Sequence, residues 1–167
     1  AINCRYCFRR HADYAANIVT PARLQEVLDY LRGQQDLTEV ILSGGDPLLS
    51  SDRKLDELIS HLEKIPHIQR LRIHSRLPIV IPQRITEQLC KRLRRSRFQV
   101  TLVIHCNHPQ EIDADVEQAM TKLRAHKVTL LNQAVLLKNI NDSVTTLEAL
   151  SVELFRIGGL PYYLHTL

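Results

Sequence analysis

The sequence has little cysteine and no long apolar segment. Four cysteines in 167 residues are too few for a disulfide-bonded scaffold of this size. No apolar run approaches the roughly 20 residues that a membrane-spanning helix needs, and no signal peptide opens the chain. We therefore expect a cytoplasmic protein without a membrane partner. The first residue is Ala1 and not methionine, which indicates an excerpt or a processed chain.

The chain also lacks an evident linker, a low-complexity run and any sign of a second domain. Its 167 residues are 44% hydrophobic, with a mean hydropathy of -0.16. These values are typical of a globular protein that is long enough to bury a sizeable core. We expect one domain over residues 1–167.

Acidic residues are scarce in one part of the chain, although the net charge is only +4. Between residues 70 and 97, Glu87 is the only acid among nine basic residues. The basic residues are Arg70, Arg72, Arg76, Arg84, Lys91, Arg92, Arg94, Arg95 and Arg97. A solvated helix face explains them most simply. An acidic partner or nucleic acid is the alternative, but no nucleic-acid-binding motif accompanies the basic residues.

Apolar strand-like segments begin near residues 39, 70, 100, 129 and 161. Helical periodicity follows the N-cap residues Thr20 and Ser51, and begins again near Thr86, Asp113 and Thr145. A βα unit about every 30 residues, with apolar strand bodies, predicts a parallel sheet buried on both faces. The regular series favours a TIM-like βα barrel over a doubly wound sheet.

Polar side chains follow every predicted strand. They are Ser43 to Asp46, His74 to Arg76, His105 to His108, Asn132 with Gln133, and His165. In βα barrels the carboxyl ends of the strands carry the chemistry. We therefore expect one polar site across this end of the fold.

Several of these residues allow two interpretations. Gly44 and Gly45 would let a ligand approach the backbone closely, and Asp46 could accept hydrogen bonds from an ammonium group. The same residues also fit an ordinary turn after a strand. Arg9 and Arg76 suit a carboxylate or phosphate, or are simple surface arginines.

Two pairs of aromatic side chains at strand ends are also candidates. We expect His105 to bind a ligand and His108 to shape the loop, because the two do not share a helical face. Tyr162 and Tyr163 are neighbours in a strand, so we expect only one of them to face the interior.

The cysteines fall into two classes. Cys4 and Cys7 form a Cys-x-x-Cys pair, which suits zinc, an iron–sulfur cluster or a redox disulfide. Cys90 lies on the apolar face of a predicted helix, and we expect Cys90 and Cys106 to be inert.

Five motifs together resemble the lysine 2,3-aminomutase family of radical S-adenosylmethionine (SAM) enzymes. They are residues 3–11, 43–48, 72–86, 131–137 and 161–165. Within the family, the match is closest to the bacterial branch that serves the β-lysylation of elongation factor P. The resemblance covers essentially the whole chain. It implies a partial (βα)6 TIM-like barrel, with the first strand missing from this chain.

The resemblance implies three cofactors: a [4Fe–4S] cluster, SAM and pyridoxal 5'-phosphate (PLP). Cys4 and Cys7 match two cluster ligands, and the third cysteine is expected one position before Ala1. The implied SAM-binding residues are Tyr6, Ser43, Gly44, Gly45, Asp46, Ser75, Arg76, His105 and Gln133. Arg9 matches the residue that binds the substrate carboxylate. Tyr162 and His165 match positions near PLP, although the family often has tyrosine where this chain has His165.

The implied reaction is the conversion of L-lysine to β-lysine by a 1,2-amino shift. An aspartate that recognises the substrate is expected after Leu167, and the lysine that holds PLP is expected further downstream. The resemblance implies a homo-oligomer at full length, with elongation factor P or its modifying enzyme as a possible partner. We expect the 167-residue chain alone to be inactive. The alternatives are another aminomutase, such as a glutamate 2,3-aminomutase, or a zinc-binding βα domain that interacts with nucleic acid.

Overall fold

The computed structural model describes residues 20–166, which form an α/β fold around a parallel sheet. The strands are β1 (Glu39–Leu42), β2 (Arg70–Ser75), β3 (Gln99–His105), β4 (Thr129–Val135) and β5 (Leu160–His165), in that spatial order. The helices are α1 (Pro21–Gly33), α2 (Asp52–Glu63), α3 (Leu77–Val80), α4 (Glu87–Arg95), α5 (Ala114–Ala125) and α6 (Val144–Arg156). Short 3-10 helices occupy Pro47–Leu49, Pro82–Arg84 and Pro109–Glu111.

This arrangement confirms the predicted fold class, a partial barrel built from βα units. The predicted N-cap residues Thr20 and Ser51 each accept a hydrogen bond from the backbone N–H three positions further on. Thr86 and Asp113, at the predicted starts of α4 and α5, do the same. Helix α6 begins slightly earlier than predicted, because Ser143 supplies its cap. No described helix is both long and apolar enough to cross a membrane.

The two faces of the sheet differ, which corrects the prediction of strands that are apolar on both faces. Along β2 and β4, buried residues alternate with half-buried ones. The buried set faces the helices and forms the core, as Leu71, Ile73 and Leu102 do. The other set forms what we call the inner face, and it is largely polar. The sequence already contained this alternation in Leu71-Arg72-Ile73-His74.

Side-chain contacts across the inner face show that the sheet is curved. Arg72 on β2 donates a hydrogen bond to Tyr162 on β5. These strands are three positions apart, or about 14 Å in a flat sheet. His74 on β2 likewise reaches Gln133 on β4, past the intervening β3. The inner face is therefore concave, and its polar side chains converge as they would inside a barrel.

Most of the basic residues between 70 and 97 have partners within the fold. Arg92 joins α4 to α2 through Asp56 and Glu63, and its side chain is only 13% exposed. Arg97 donates to three backbone carbonyls between residues 63 and 68. In the described part of the chain, Arg94 and Arg95 are the exceptions. The cluster of arginines is therefore mainly structural, which favours the simpler of the two sequence interpretations.

Candidate functional site

The carboxylate of Asp46 connects the ends of β1 and β2. Its Oδ1 atom accepts hydrogen bonds from the Ser75 hydroxyl at 2.7 Å and from the Leu48 N–H at 3.0 Å. Its Oδ2 atom accepts from the N–H groups of Arg76 and Leu77, at 2.7 and 3.3 Å. Four donors therefore hold this one side chain. Asp46 and the buried Ser75 shape the site, and their predicted contacts with SAM stay a prediction.

The glycines before Asp46 form the open part of the same turn. Gly44 and Gly45 have φ angles of 83° and 57°, in the left-handed region that side chains with a Cβ atom rarely adopt. Among residues 20–166, a Cβ atom built on Gly45 would meet nothing within 4 Å, so this part of the structure leaves the space beside the backbone open. A ligand can approach here closely, as the sequence interpretation required.

Three side chains from neighbouring strands meet on the inner face. The Nδ1 atom of His74 lies 3.1 Å from Oε1 of Gln133. The ring of His105 packs edge-on against the ring of His74, with centroids 6.1 Å apart. Nε2 of His105 is buried and has no hydrogen-bond partner among the described residues. Gln133 and His105, both predicted as ligand-binding residues, therefore lie together.

The charge state of His105 follows from this position. Burial lowers the pKa of His105 to about 4, with smaller contributions from His74, Arg76 and His165. The imidazole is therefore neutral at physiological pH. It can exchange a hydrogen bond with a ligand at Nε2 without adding a positive charge.

Arg76 lies at the edge of this group and is paired with Glu111. Its Nη2 atom is 3.1 Å from Oε2 of Glu111. The other oxygen of Glu111 accepts from the N–H groups of Asn107 and His108. His108 accepts a hydrogen bond from the Gln110 N–H, which confirms that it shapes the loop.

Three buried asparagines support the loops that follow β3 and β4. Asn132 exchanges two hydrogen bonds with the backbone of Cys106. Asn107 accepts from the Val135 N–H at 2.8 Å, and Asn141 donates to the Asn107 carbonyl at 2.8 Å. Asn132 is therefore a structural residue, whereas the adjacent Gln133 faces the site. Sequence reasoning did not select Asn141, because its role depends on contacts that are distant in the chain.

The end of β5 corrects the prediction that only one of its tyrosines faces the interior. Asn132 pairs with Pro161 and Gln133 pairs with Tyr163, so Tyr162 is an extra residue in β5. This β-bulge places both tyrosine rings on the inner face, with centroids 4.1 Å apart. The His165 ring lies 5.5 Å beyond that of Tyr163. The three rings form a row on the inner face.

Sequence reasoning also missed the role of Arg72 and Glu39, which lie deeper on the inner face. Arg72 makes three hydrogen-bond contacts with the Glu39 carboxylate, at 2.9 to 3.1 Å. The sequence places Arg72 in the basic segment and in the motif of residues 72–86, without a partner. Its alternation with Leu71 and Ile73 was the signal that could have placed it opposite the core.

The predicted cluster and substrate residues near the start of the chain are not among those that the structure describes. Cys4, Tyr6, Cys7 and Arg9 lie outside the described residues. No group of three or more metal-ligand side chains occurs within residues 20–166. Cys90 and Cys106 are buried, and burial raises their pKa values to about 11 and about 12, which confirms that these thiols are inert.

Comparison of the sequence with models of known protein families identifies the family of this chain independently of the site geometry. The model described as "Radical SAM superfamily" matches residues 1–149. This chain belongs to the radical SAM superfamily. The match includes the Cys4–Cys7 pair and the first four strands described above.

Individual relatives of this radical SAM chain carry aminomutase names. L-lysine 2,3-aminomutases of Haemophilus influenzae and of Escherichia coli are each 56% identical to it over all 167 residues. A glutamate 2,3-aminomutase of Clostridioides difficile is 36% identical over 165 residues, which is 98% of this chain and 39% of that protein. The chain spans about half the length of the first two relatives, 49% of each.

We expect Asp46→Asn to destabilise this radical SAM domain by about 2 kcal/mol, because an amide cannot accept from all four donors. Urea unfolding measures the loss. Asp36→Asn, in the exposed turn before β1, is the matched control and should change stability by less than about 0.5 kcal/mol. Equal stabilities of the two variants would contradict the structural role of Asp46.

Stability should also depend on His105 between pH 6.5 and 4. The unfolded chain protonates this residue near pH 6.5, whereas the folded chain does so only near pH 4. The contribution of neutral His105 is therefore complete above pH 6.5 and is lost as the pH falls to 4. The loss should be at most about 3 kcal/mol. In urea unfolding, His105→Gln should lack this part of the pH dependence; identical pH profiles would refute the assignment.

Proposed function

We propose that this chain is the core of an L-lysine 2,3-aminomutase, which converts L-lysine to β-lysine. The observation that carries the proposal is 56% identity, along the whole chain, to two proteins of that name. The glutamate 2,3-aminomutase is less similar, at 36% identity. The lysine enzyme is therefore the first candidate and the glutamate enzyme the second. The contacts of Arg92 and Arg97 within the fold weaken the nucleic-acid part of the remaining alternative.

The chemistry of the inner face fits the cofactors that this function needs. Within the described part of the chain, space is open beside Gly45 and the buried Nε2 atom of His105 has no hydrogen-bond partner, which suits an adenosyl ligand with polar edges. The residues that we assign to SAM are Ser75, Arg76, His105, Gln133 and the turn from Ser43 to Asp46. Cys4 and Cys7 would hold the [4Fe–4S] cluster, with Tyr6 beside the adenosyl group.

The substrate side of the site is assigned to the opposite edge of the sheet. The aromatic rings of Tyr162 and His165 would border PLP, and Arg9 would bind the substrate carboxylate. When bound, the cluster with SAM supplies a radical that removes hydrogen, and PLP supplies the stabilisation of the amino-acid radical. The protein's own part is to orient these groups and to keep competing donors away.

The inner face and the loops at its edge carry several carboxylates, and each already has partners within the fold. Glu39 is bound by Arg72, Asp46 by four donors, and Glu111 by Arg76 and two backbone N–H groups. Recruiting one of them to a substrate ammonium group would break these contacts, at a cost of about 1–3 kcal/mol for each unsatisfied group. This supports the expectation that the ε-ammonium of lysine is recognised by a residue outside 20–166.

The full-length protein, purified without oxygen, should contain iron and sulfide and show an absorbance that dithionite bleaches. It should form β-lysine from lysine and leave glutamate unchanged. Cys4→Ala and Cys7→Ala should each remove the iron and the activity, because a cluster ligand is lost.

Cys90→Ala is the matched control, since it removes a buried thiol of α4 that is remote from the Cys-x-x-Cys pair in sequence. It should retain the iron. A folded wild-type protein without iron would overturn the proposal. Conversion of glutamate in preference to lysine would favour the second candidate.

We propose further that the β-lysine product serves the modification of elongation factor P, as the resemblance of the motifs to that branch of the family indicates. Elongation factor P from cells that lack this protein should then have lost the mass of the β-lysyl group. Mass spectrometry of the intact factor measures this, and added β-lysine should restore the mass. An unchanged mass in the deletion strain would refute this step without affecting the reaction itself.

A further inference from the structure

The Arg72 guanidinium joins three strands of the sheet across its inner face. From β2 it contacts the Glu39 carboxylate on β1 through Nε and Nη2, at 2.9 to 3.1 Å. Its Nη1 atom donates to the Tyr162 hydroxyl on β5 at 3.0 Å, and the guanidinium lies 5.5 Å from the centroid of that ring. Arg72 is thus the side chain that ties the two edge strands together.

The contact fixes the position of an aromatic residue that the β-bulge leaves otherwise poorly supported. Every residue of β5 is exposed, and β5 is an edge strand of the described sheet. The Tyr162 hydroxyl also donates to the Tyr163 hydroxyl at 3.2 Å, so the constraint extends to the second ring. Arg72 therefore restrains the row of rings that ends at His165.

Arg72 is poorly suited to binding an anionic ligand itself. Its charge is balanced by Glu39, and its Nε, Nη1 and Nη2 atoms are all engaged. Both charged side chains are mostly covered, with 19% of Arg72 and 23% of Glu39 exposed. A planar guanidinium is required for this arrangement, because the single ammonium of lysine cannot contact a carboxylate in this forked way and also reach Tyr162.

We propose that Arg72 is a positioning residue, which Glu39 holds in place so that it fixes Tyr162 and Tyr163 as the aromatic wall of the PLP site. This inference rests on the proposed function, in which Tyr162 and His165 border PLP. Arg72 acts on the cofactor through Tyr162 and makes no contact of its own with the reacting atoms.

The test uses the full-length protein and two ligands. In Arg72→Lys, we expect the affinity for PLP, measured by absorbance titration, to fall about tenfold, because a charged hydrogen bond to the wall is lost. The affinity for SAM should change less than twofold, since the hydrogen bonds of Arg72 go to Glu39 and Tyr162 and not to the residues assigned to SAM. Arg70→Lys, the same substitution two positions earlier on the strand, is the matched control and should change neither affinity by more than twofold.

A double-mutant cycle separates positioning from direct binding. Tyr162→Phe should weaken PLP binding about as much as Arg72→Lys, and the double variant should bind no more weakly than either single variant. If the losses of PLP affinity in the two single variants multiply in the double variant, Arg72 acts on the cofactor by another route and the inference is overturned. Unchanged PLP affinity in Arg72→Lys would overturn it as well.

A failure of the proposed function would give a different result from a failure of this inference. If the wild-type protein binds no PLP, the same cycle is measured by urea unfolding. Coupling of at least threefold in the unfolding equilibrium constant would then retain Arg72 as the residue that holds Tyr162, while the assignment of the wall to PLP would be lost. Coupling below threefold would reject the positioning role too.

Discussion

The site depends on one carboxylate that is shared between two strand ends. Parallel strands have no direct connection at their carboxyl ends, so loops must fix the relative positions of the residues there. Asp46 does this for β1 and β2, because its two oxygens accept from a hydroxyl and three backbone N–H groups. The same contacts fix the position of the turn at Gly45 relative to the backbone of Arg76.

The two faces of the sheet have different roles. The face toward the helices is apolar and supplies stability, at about 1.5–3 kcal/mol for each buried Leu or Ile side chain. The inner face bears ion pairs and amides that contribute little net stability but are oriented by their partners. Neutral His105 and the amide of Gln133 are accordingly available to a ligand, whereas the carboxylates of Glu39 and Glu111 are engaged by arginines.

Local sequence patterns predicted the strands and most of the helix starts, because N-caps and apolar periodicity act over a few residues. They also selected His105, Gln133 and the glycine turn, since residues after parallel strands share one edge. They could not predict that Arg72 meets Tyr162, a contact between residues 90 positions apart. Nor could they reveal the β-bulge, which is a property of strand pairing and leaves no mark in residue type.

Because of the β-bulge, the number of residues in β5 decides which of its side chains face the site. Because Tyr162 is the unpaired residue, deleting it would leave Tyr163 and His165 in their present register with β4. If all residues were kept and the bulge were removed, Val135 would pair with Leu164 in place of His165. Leu164 would then face inward and His165 outward. At this position, the number of residues that fit between two hydrogen bonds matters more to the site than the identity of any one of them.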